Sequence, residues 1–263
     1  MAFRLRTPTE IDAIAEAGGL VAQTLTDALG LLAPGITGRR IDLETRRWLE
    51  ARAGSPALSG YTDPDRPGLA PFAGAISIGV NDAVANSEPD DRPLQPGDLV
   101  TLDLAASLNA WHADASVPAV VGGAGTHPAH AALADAARAV TRATVRALRP
   151  GGLWSDAVVA AHDEARRRGV HIARVFAGHG IGRALHEPPQ AGFDTRPGSP
   201  GDFLLAPGTV FTVEPIVTPE PCELIETEGV WGVRTETGCP GACAERTVAV
   251  TGSGVRTLCG VGA

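Results

Sequence analysis

At 263 residues, 44% hydrophobic and 20% charged, the chain can bury a full core and is short enough to be one large domain. Its formal charge of −8 comes without a basic stripe on which a phosphate backbone could lie, which argues against nucleic acid as a partner. All 22 cationic residues are arginine, which excludes a Schiff-base lysine, a pyridoxal phosphate anchor and a Walker-A loop.

The N-terminal "MAFRLR" has no apolar signal region, and no window approaches the roughly 18 apolar residues of a membrane span, so a cytoplasmic protein without membrane contact is expected. The first helix is predicted from a Thr7 cap, with Pro8 in its first turn and Glu10 closing a capping box. Ile11, Ile14, Val21, Leu25 and Leu29 recur along it at helical spacing, and Pro34-Gly35 ends it. Further helices are predicted over about 37–53, 128–148 and 155–168, the last stopping at Gly169. Strand-like runs occupy 75–80, 99–106, 115–121, 209–217 and 246–251.

Helices and strands occur in blocks, which favours an α+β fold over an alternating parallel sheet. The chain also resembles itself. "LLAPGITGRRIDLETRRWLEARAG" (31–54) parallels "ALRPGGLWSDAVVAAHDEARRRG" (147–169), and "PGDLVTLD" (96–103) parallels "PGTVFTVE" (207–214). A single domain over 1–263 is expected, built from two related halves at about 7–122 and 126–252, each offering one acid at an equivalent place, Asp103 and Glu214.

On "LVTLDLAA" the alternation sends Val100, Leu102 and Leu104 to one face and Thr101 and Asp103 to the other. A turn near Leu108-Asn109 would set Asp114 directly across from Asp103. The pair is either two exposed aspartates on a solvated face or two like charges that a divalent cation holds together. Glu214 and Glu245 shift the balance towards the cation, because each is an isolated acid beside apolar strand sequence. With His179 they make four carboxylates and one imidazole, a donor set for manganese, iron or cobalt rather than for a thiolate-seeking metal. Two such ions roughly 3.5–4 Å apart could hold a bridging hydroxide as nucleophile, which points to a hydrolase.

The stretch "GHGIGRALHEPP" (178–189) has the glycines of a phosphate loop, but its Gly-x-Gly-x-Gly spacing and Pro188-Pro189 leave no room for the helix such a loop opens. The glycines are expected instead to let backbone and substrate approach the metals. Cys222, Cys239, Cys243 and Cys259 lack a repeated Cys-x-x-Cys frame and read as free thiols rather than as a zinc site.

Five separated motifs, "RTPTEIDAIAEAGGLVAQTL", "QPGDLVTLDLAA" with "HADAS", "AGHGIGRALHEPP", "FTVEPIV" and "AERTVAVT", together resemble the methionine aminopeptidases and their relatives of the M24 "pita-bread" fold. The likeness covers almost the whole chain, in the family's order, and in length is similar to the compact bacterial enzymes. It implies a pita-bread fold of two pseudo-symmetric halves, a curved antiparallel sheet flanked by two helix pairs. It also implies two divalent ions per chain (Fe2+, Mn2+ or Co2+) on Asp103, Asp114, His179, Glu214 and Glu245. By the same resemblance, Glu214 shuttles a proton and His186 contacts the scissile amide. Asn86 stands where the family typically has a histidine that helps protonate the leaving group. Asparagine can hydrogen-bond there but cannot titrate near neutrality, a change worth about 10²–10⁴-fold if nothing compensates. Tyr61, Phe72, Leu185 and Trp231 are the candidate substrate pocket, or else core, with "DPDRPGLAP" (63–71) reshaping its rim.

Three readings follow. The first is a monomeric aminopeptidase that removes N-terminal methionine from peptides or nascent proteins. The second is a paralogue of that enzyme recruited to another amide or small-metabolite substrate. The third is a non-catalytic binding protein of the same fold.

Overall fold

The computed structural model describes residues 3–174 and 176–262. Helix α1 spans Pro8–Gly30, α2 Gly38–Ala51, α3 Pro128–Ala147 and α4 Trp154–Arg168. The predicted capping box opens α1: the Glu10 amide donates to Thr7 Oγ1 at 3.3 Å, and the Thr7 amide donates to Glu10 Oε2 at 2.9 Å. Thr37 caps α2 through its hydroxyl, and Gly169, at φ +67°, ends α4 in the left-handed conformation that glycine adopts without strain.

Each helix pair covers its own core. Val21, Leu25, Ile41 and Leu49 of α1 and α2 pack with Leu102 and Leu104, whereas Val140, Trp154 and Val158 of α3 and α4 pack with Phe193 and Phe211. The first core rests on strand Leu99–Leu108, which pairs antiparallel with Trp111–Val120 on one side and Ser77–Val80 on the other. The second rests on a five-stranded antiparallel sheet ordered 254–259, 246–251, 210–213, 177–180 and 187–192. Thr247 stitches the sheets together, accepting from the Asp114 amide at 3.1 Å and donating to the Asp114 carbonyl at 2.7 Å.

Two sequence expectations change. Asp103 faces Ser116 and Asp114 faces Ala105, so the two aspartates are diagonal neighbours rather than directly opposed. The turn is Asn109-Ala110, both at positive φ (51° and 59°), which centres the hairpin one residue later than expected. Pairing therefore shifts by two residues, and both aspartates keep the same face. The run 209–217 is not one strand but two, Val210–Val213 and Ile216–Thr218, because Pro215 has no amide to continue the ladder. That break leaves Glu214 at a strand end.

Gly18 sets how closely α1 approaches the last strand, Gly254–Cys259. A Cβ there would lie 2.1 Å from the Leu258 carbonyl oxygen, and backbone cannot swing aside as a side chain can. Gly18→Ala is expected to cost about 1–3 kcal/mol, read as a fall in the thermal midpoint. An unchanged midpoint would show that helix and strand separate freely.

Candidate metal centre

Asp103 and Asp114 lie on the hairpin, His179 on strand Ala177–Gly180, Glu214 after Val210–Val213 and Glu245 before Arg246–Thr251. All five line one cavity of about 360 Å³. Single donor atoms of Asp114, His179 and Glu245 fall within 4.8 Å of one another. His179 Nε2 lies 3.8 Å from both Asp114 Oδ2 and Glu214 Oε1. Its other nitrogen, Nδ1, is 3.0 Å from the Gly180 carbonyl and donates to it, which leaves Nε2 unprotonated and facing the acids.

Thr212, which the sequence reading missed, ties this arrangement together. Its hydroxyl accepts from the His179 amide at 2.9 Å and donates to Glu214 Oε1 at 2.5 Å. The signal was available, because Thr212 precedes Glu214 by two residues and so shares its strand face. The glycines around His179 let backbone come close, one part of what was expected of them. A Cβ on Gly178 would lie 2.2 Å from the Thr212 carbonyl and one on Gly180 2.2 Å from the Pro188 carbonyl, so they admit neighbouring strands rather than substrate.

The residues fit divalent metal. Asp114, Glu214 and Glu245 are buried, and Asp103 is partly so. Among the described residues no arginine is paired with any of the four. Asp114 Oδ1 is buried without a hydrogen-bond partner. Burial, reinforced by the neighbouring acids, pushes Asp103 and Glu245 far above the usual carboxylate range. Burial also depresses His179, with help from His186, to about 3. A site that raises its acids and neutralises its histidine lacks positive charge that a cation would supply.

The description of metallopeptidase family M24 matches residues 12–252. The chain belongs to that family. The M24 chain is 32% identical to methionine aminopeptidase 1 of Mycobacterium tuberculosis, over 96% of its own length and 93% of the relative's. It is 31% identical to methionine aminopeptidase B of Synechocystis, over 97% and 90%. It superposes on methionine aminopeptidase from Thermotoga maritima with a TM-score of 0.89 at 26% identity, covering 98% and 99% of the two chains. The architecture of this M24 chain is therefore the pita-bread fold. Among the described residues no helix is long and apolar enough to cross a membrane.

The remaining candidates divide. Tyr61, Phe72, Asn86, His186 and Trp231 line the same cavity as the five ligand candidates, and Leu185 does not. Leu185 belongs to an apolar cluster with Ile181, Trp111 and Ile14, against which the cavity-lining Leu58 and Tyr61 pack. His186 Nδ1 lies 2.8 Å from the Tyr61 hydroxyl, and its ring sits 4.3 Å from that of His179. Partial burial, with the neighbouring His112, lowers the His186 pKa, and Asp63 opposes the shift. Phe72 stacks edge-on against Trp231 at 5.3 Å. Asn86, at φ +51°, holds a left-handed backbone that asparagine tolerates well. None of the four cysteines is in a disulfide; Cys222 and Cys239 are partly exposed, and Cys243 and Cys259 are buried.

In the metal-free chain Glu214 is raised to about 8 and Asp114 to about 7, both chiefly by burial, so the folded state keeps protons that the unfolded state releases. Stability from these groups is present at low pH and is lost as pH rises through the folded pKa values. His179 works in the opposite sense, but only below its unfolded value near 6.5. The metal-free thermal midpoint is therefore expected to fall between about pH 6.5 and 8, and manganese(II) is expected to flatten that slope. Parallel slopes with and without the ion would count against the site.

Proposed function

We propose that this chain is a dimetal aminopeptidase that removes N-terminal methionine from peptides or nascent proteins, acting as a cytoplasmic monomer. The observation that carries the reading is the convergence of four carboxylates and an unprotonated imidazole nitrogen on one cavity, in a chain similar over nearly its whole length to methionine aminopeptidases. Asp103, Asp114, His179, Glu214 and Glu245 would hold the ions, with iron(II), manganese(II) or cobalt(II) suited to those donors. When bound, the ions supply Lewis acidity and make water a usable nucleophile at neutral pH.

The chain's own groups do the rest. Glu214, oriented by Thr212, is placed to take a proton and pass it to the leaving amine. When Tyr61 donates its hydroxyl proton to His186 Nδ1, Nε2 keeps its hydrogen and offers it to the oxygen of the scissile amide. The Asn86 side chain offers a hydrogen bond to the peptide but no titrating proton. Tyr61, Phe72 and Trp231 form an aromatic wall suited to a thioether.

Asn86 and the 63–71 segment favour a second reading, the same machinery turned to another amide or to a small metabolite. Hydrolysis of Met-Ala-Ser against Leu-Ala-Ser, by metal-free protein titrated anaerobically with each ion, separates the two. Methionine-selective release is expected for the aminopeptidase. No release despite two ions bound per chain would move the assignment to the second reading. Asp103→Asn and Glu245→Gln are each expected to lose at least one ion by elemental analysis, and unchanged stoichiometry would overturn the ligand set.

The mouth of the cavity adds a preference. Asp63 and Asp65 line it, and neither has a cationic partner among the described residues. Arg66, next along the chain, is committed to Glu226 at 3.2 Å and to the Val230 carbonyl at 2.7 Å. Peptides carrying arginine at the third or fourth position are expected to be cleaved about 2–5-fold faster than their glutamate counterparts, the range of an exposed ion pair. Equal rates for the two series in low salt would remove the rim from the account.

A further inference from the structure

Cys222 and Cys239 stand apart from the metal centre. Cys222 lies between strands Ile216–Thr218 and Leu224–Glu226, and Cys239 between Val233–Thr235 and Ala242–Cys243. Their Sγ atoms are 3.7 Å apart and both residues are partly exposed, whereas Cys243 and Cys259 are buried. Backbone ties hold the two segments in place: Thr235 Oγ1 donates to the Cys239 carbonyl at 2.6 Å, the Glu236 amide to the Glu223 carbonyl at 2.9 Å, and Thr218 Oγ1 to the Glu220 carbonyl at 2.8 Å. The thiols thus meet at the open end of the hairpin formed by 224–226 and 233–235, and the connection at its other end carries Trp231 of the aromatic wall. Cys222 also borders a cavity of about 420 Å³ whose lining includes Arg166, Arg174, Glu223 and Glu236, charges of both signs that suit a small zwitterion.

We propose that Cys222 and Cys239 are a dithiol–disulfide couple, oxidised by exchange with a small-molecule disulfide of the glutathione type, which closes residues 222–239 into a ring at the base of the hairpin that carries Trp231. One protein thiolate attacks a sulfur of the oxidant and expels a glutathione thiolate. The second protein thiolate attacks the mixed disulfide and expels the other glutathione. Two electrons pass from the cysteines to the oxidant, and their two protons end on the two glutathione thiols. The sulfurs must close by roughly 1.7 Å to bond. Burial holds the Cys222 thiol up at about 11, so exchange near neutrality is slow and is read at equilibrium.

The test is independent of catalysis. The reduced full-length chain is equilibrated anaerobically with glutathione buffers of rising oxidised fraction, quenched in acid, alkylated and analysed by intact and peptide mass spectrometry. The expected result is loss of two hydrogens, a single linked peptide pair joining Cys222 to Cys239, and alkylation of Cys243 and Cys259 only after denaturation. Cys222→Ser and Cys239→Ser are each expected to stop at one glutathione adduct on the remaining partner. Hydrogen exchange over 224–238 is expected to slow several-fold in the oxidised form. Four free thiols throughout, stable double glutathionylation, a link to Cys243 or Cys259, or a link between chains would each overturn the couple, and unchanged exchange would overturn the closure of the hairpin.

Discussion

Like charges brought out of water are the constraint on which the rest of this molecule depends. Asp103, Asp114, Glu214 and Glu245 share a space from which solvent is largely excluded, and repulsion between carboxylates grows as the local dielectric falls. Such a group survives only by holding protons or by holding cations, and the architecture is arranged for the second. Arginines, the chain's only strongly basic residues, are kept out of the cluster and spent on helix surfaces and loop clamps. Thr212 and Thr247 supply neutral hydrogen bonds that fix the strands carrying the acids without neutralising them.

The cavity wall depends on a second, weaker set of contacts. Arg66 reaches from the 63–71 segment across to Val230, Glu226 and the Trp231 ring, so that loop and a distant hairpin form one rim. Trp231 Nε1 returns the connection by donating to the Ala70 carbonyl at 2.7 Å. Tyr61 then joins that rim to His186, which links the shape of the entrance to the orientation of the imidazole. These are exposed contacts, and each adds little to stability.

Much of this was legible in the sequence because it is local. Thr7 with Glu10, the spacing of Ile11 to Leu25, and the alternation around Asp103 are encoded within a few residues, and each took the predicted form. The four acids and one histidine stood out as isolated polar residues beside apolar strand sequence, and the family resemblance gave them a common role. What escaped was long-range or conformational. The register of Asp103 against Asp114 turned on which two residues adopt positive φ, and Asn109-Ala110 carries no glycine to mark them. Leu185, next to the cavity-lining His186, packs in the apolar cluster against Tyr61 rather than lining the cavity, since neighbours on a chain need not share a face. The bond between Thr247 and Asp114 spans 133 residues and leaves no periodic trace.

The two-residue turn at Asn109-Ala110 also limits how this chain can change length. Surface loops usually absorb insertions and deletions at little cost, and the exposed 63–71 segment is of that kind. One residue added to or removed from the 109–110 turn would instead reverse the inside-outside parity of every partner on strand Trp111–Val120, unless a bulge took up the difference. Asp114 would rotate into the apolar layer beneath α1, and an alanine, Ala113 after an insertion or Ala115 after a deletion, would take its place. Among natural or engineered variants, length changes should therefore crowd into the rim and avoid this tip, although both are exposed loops.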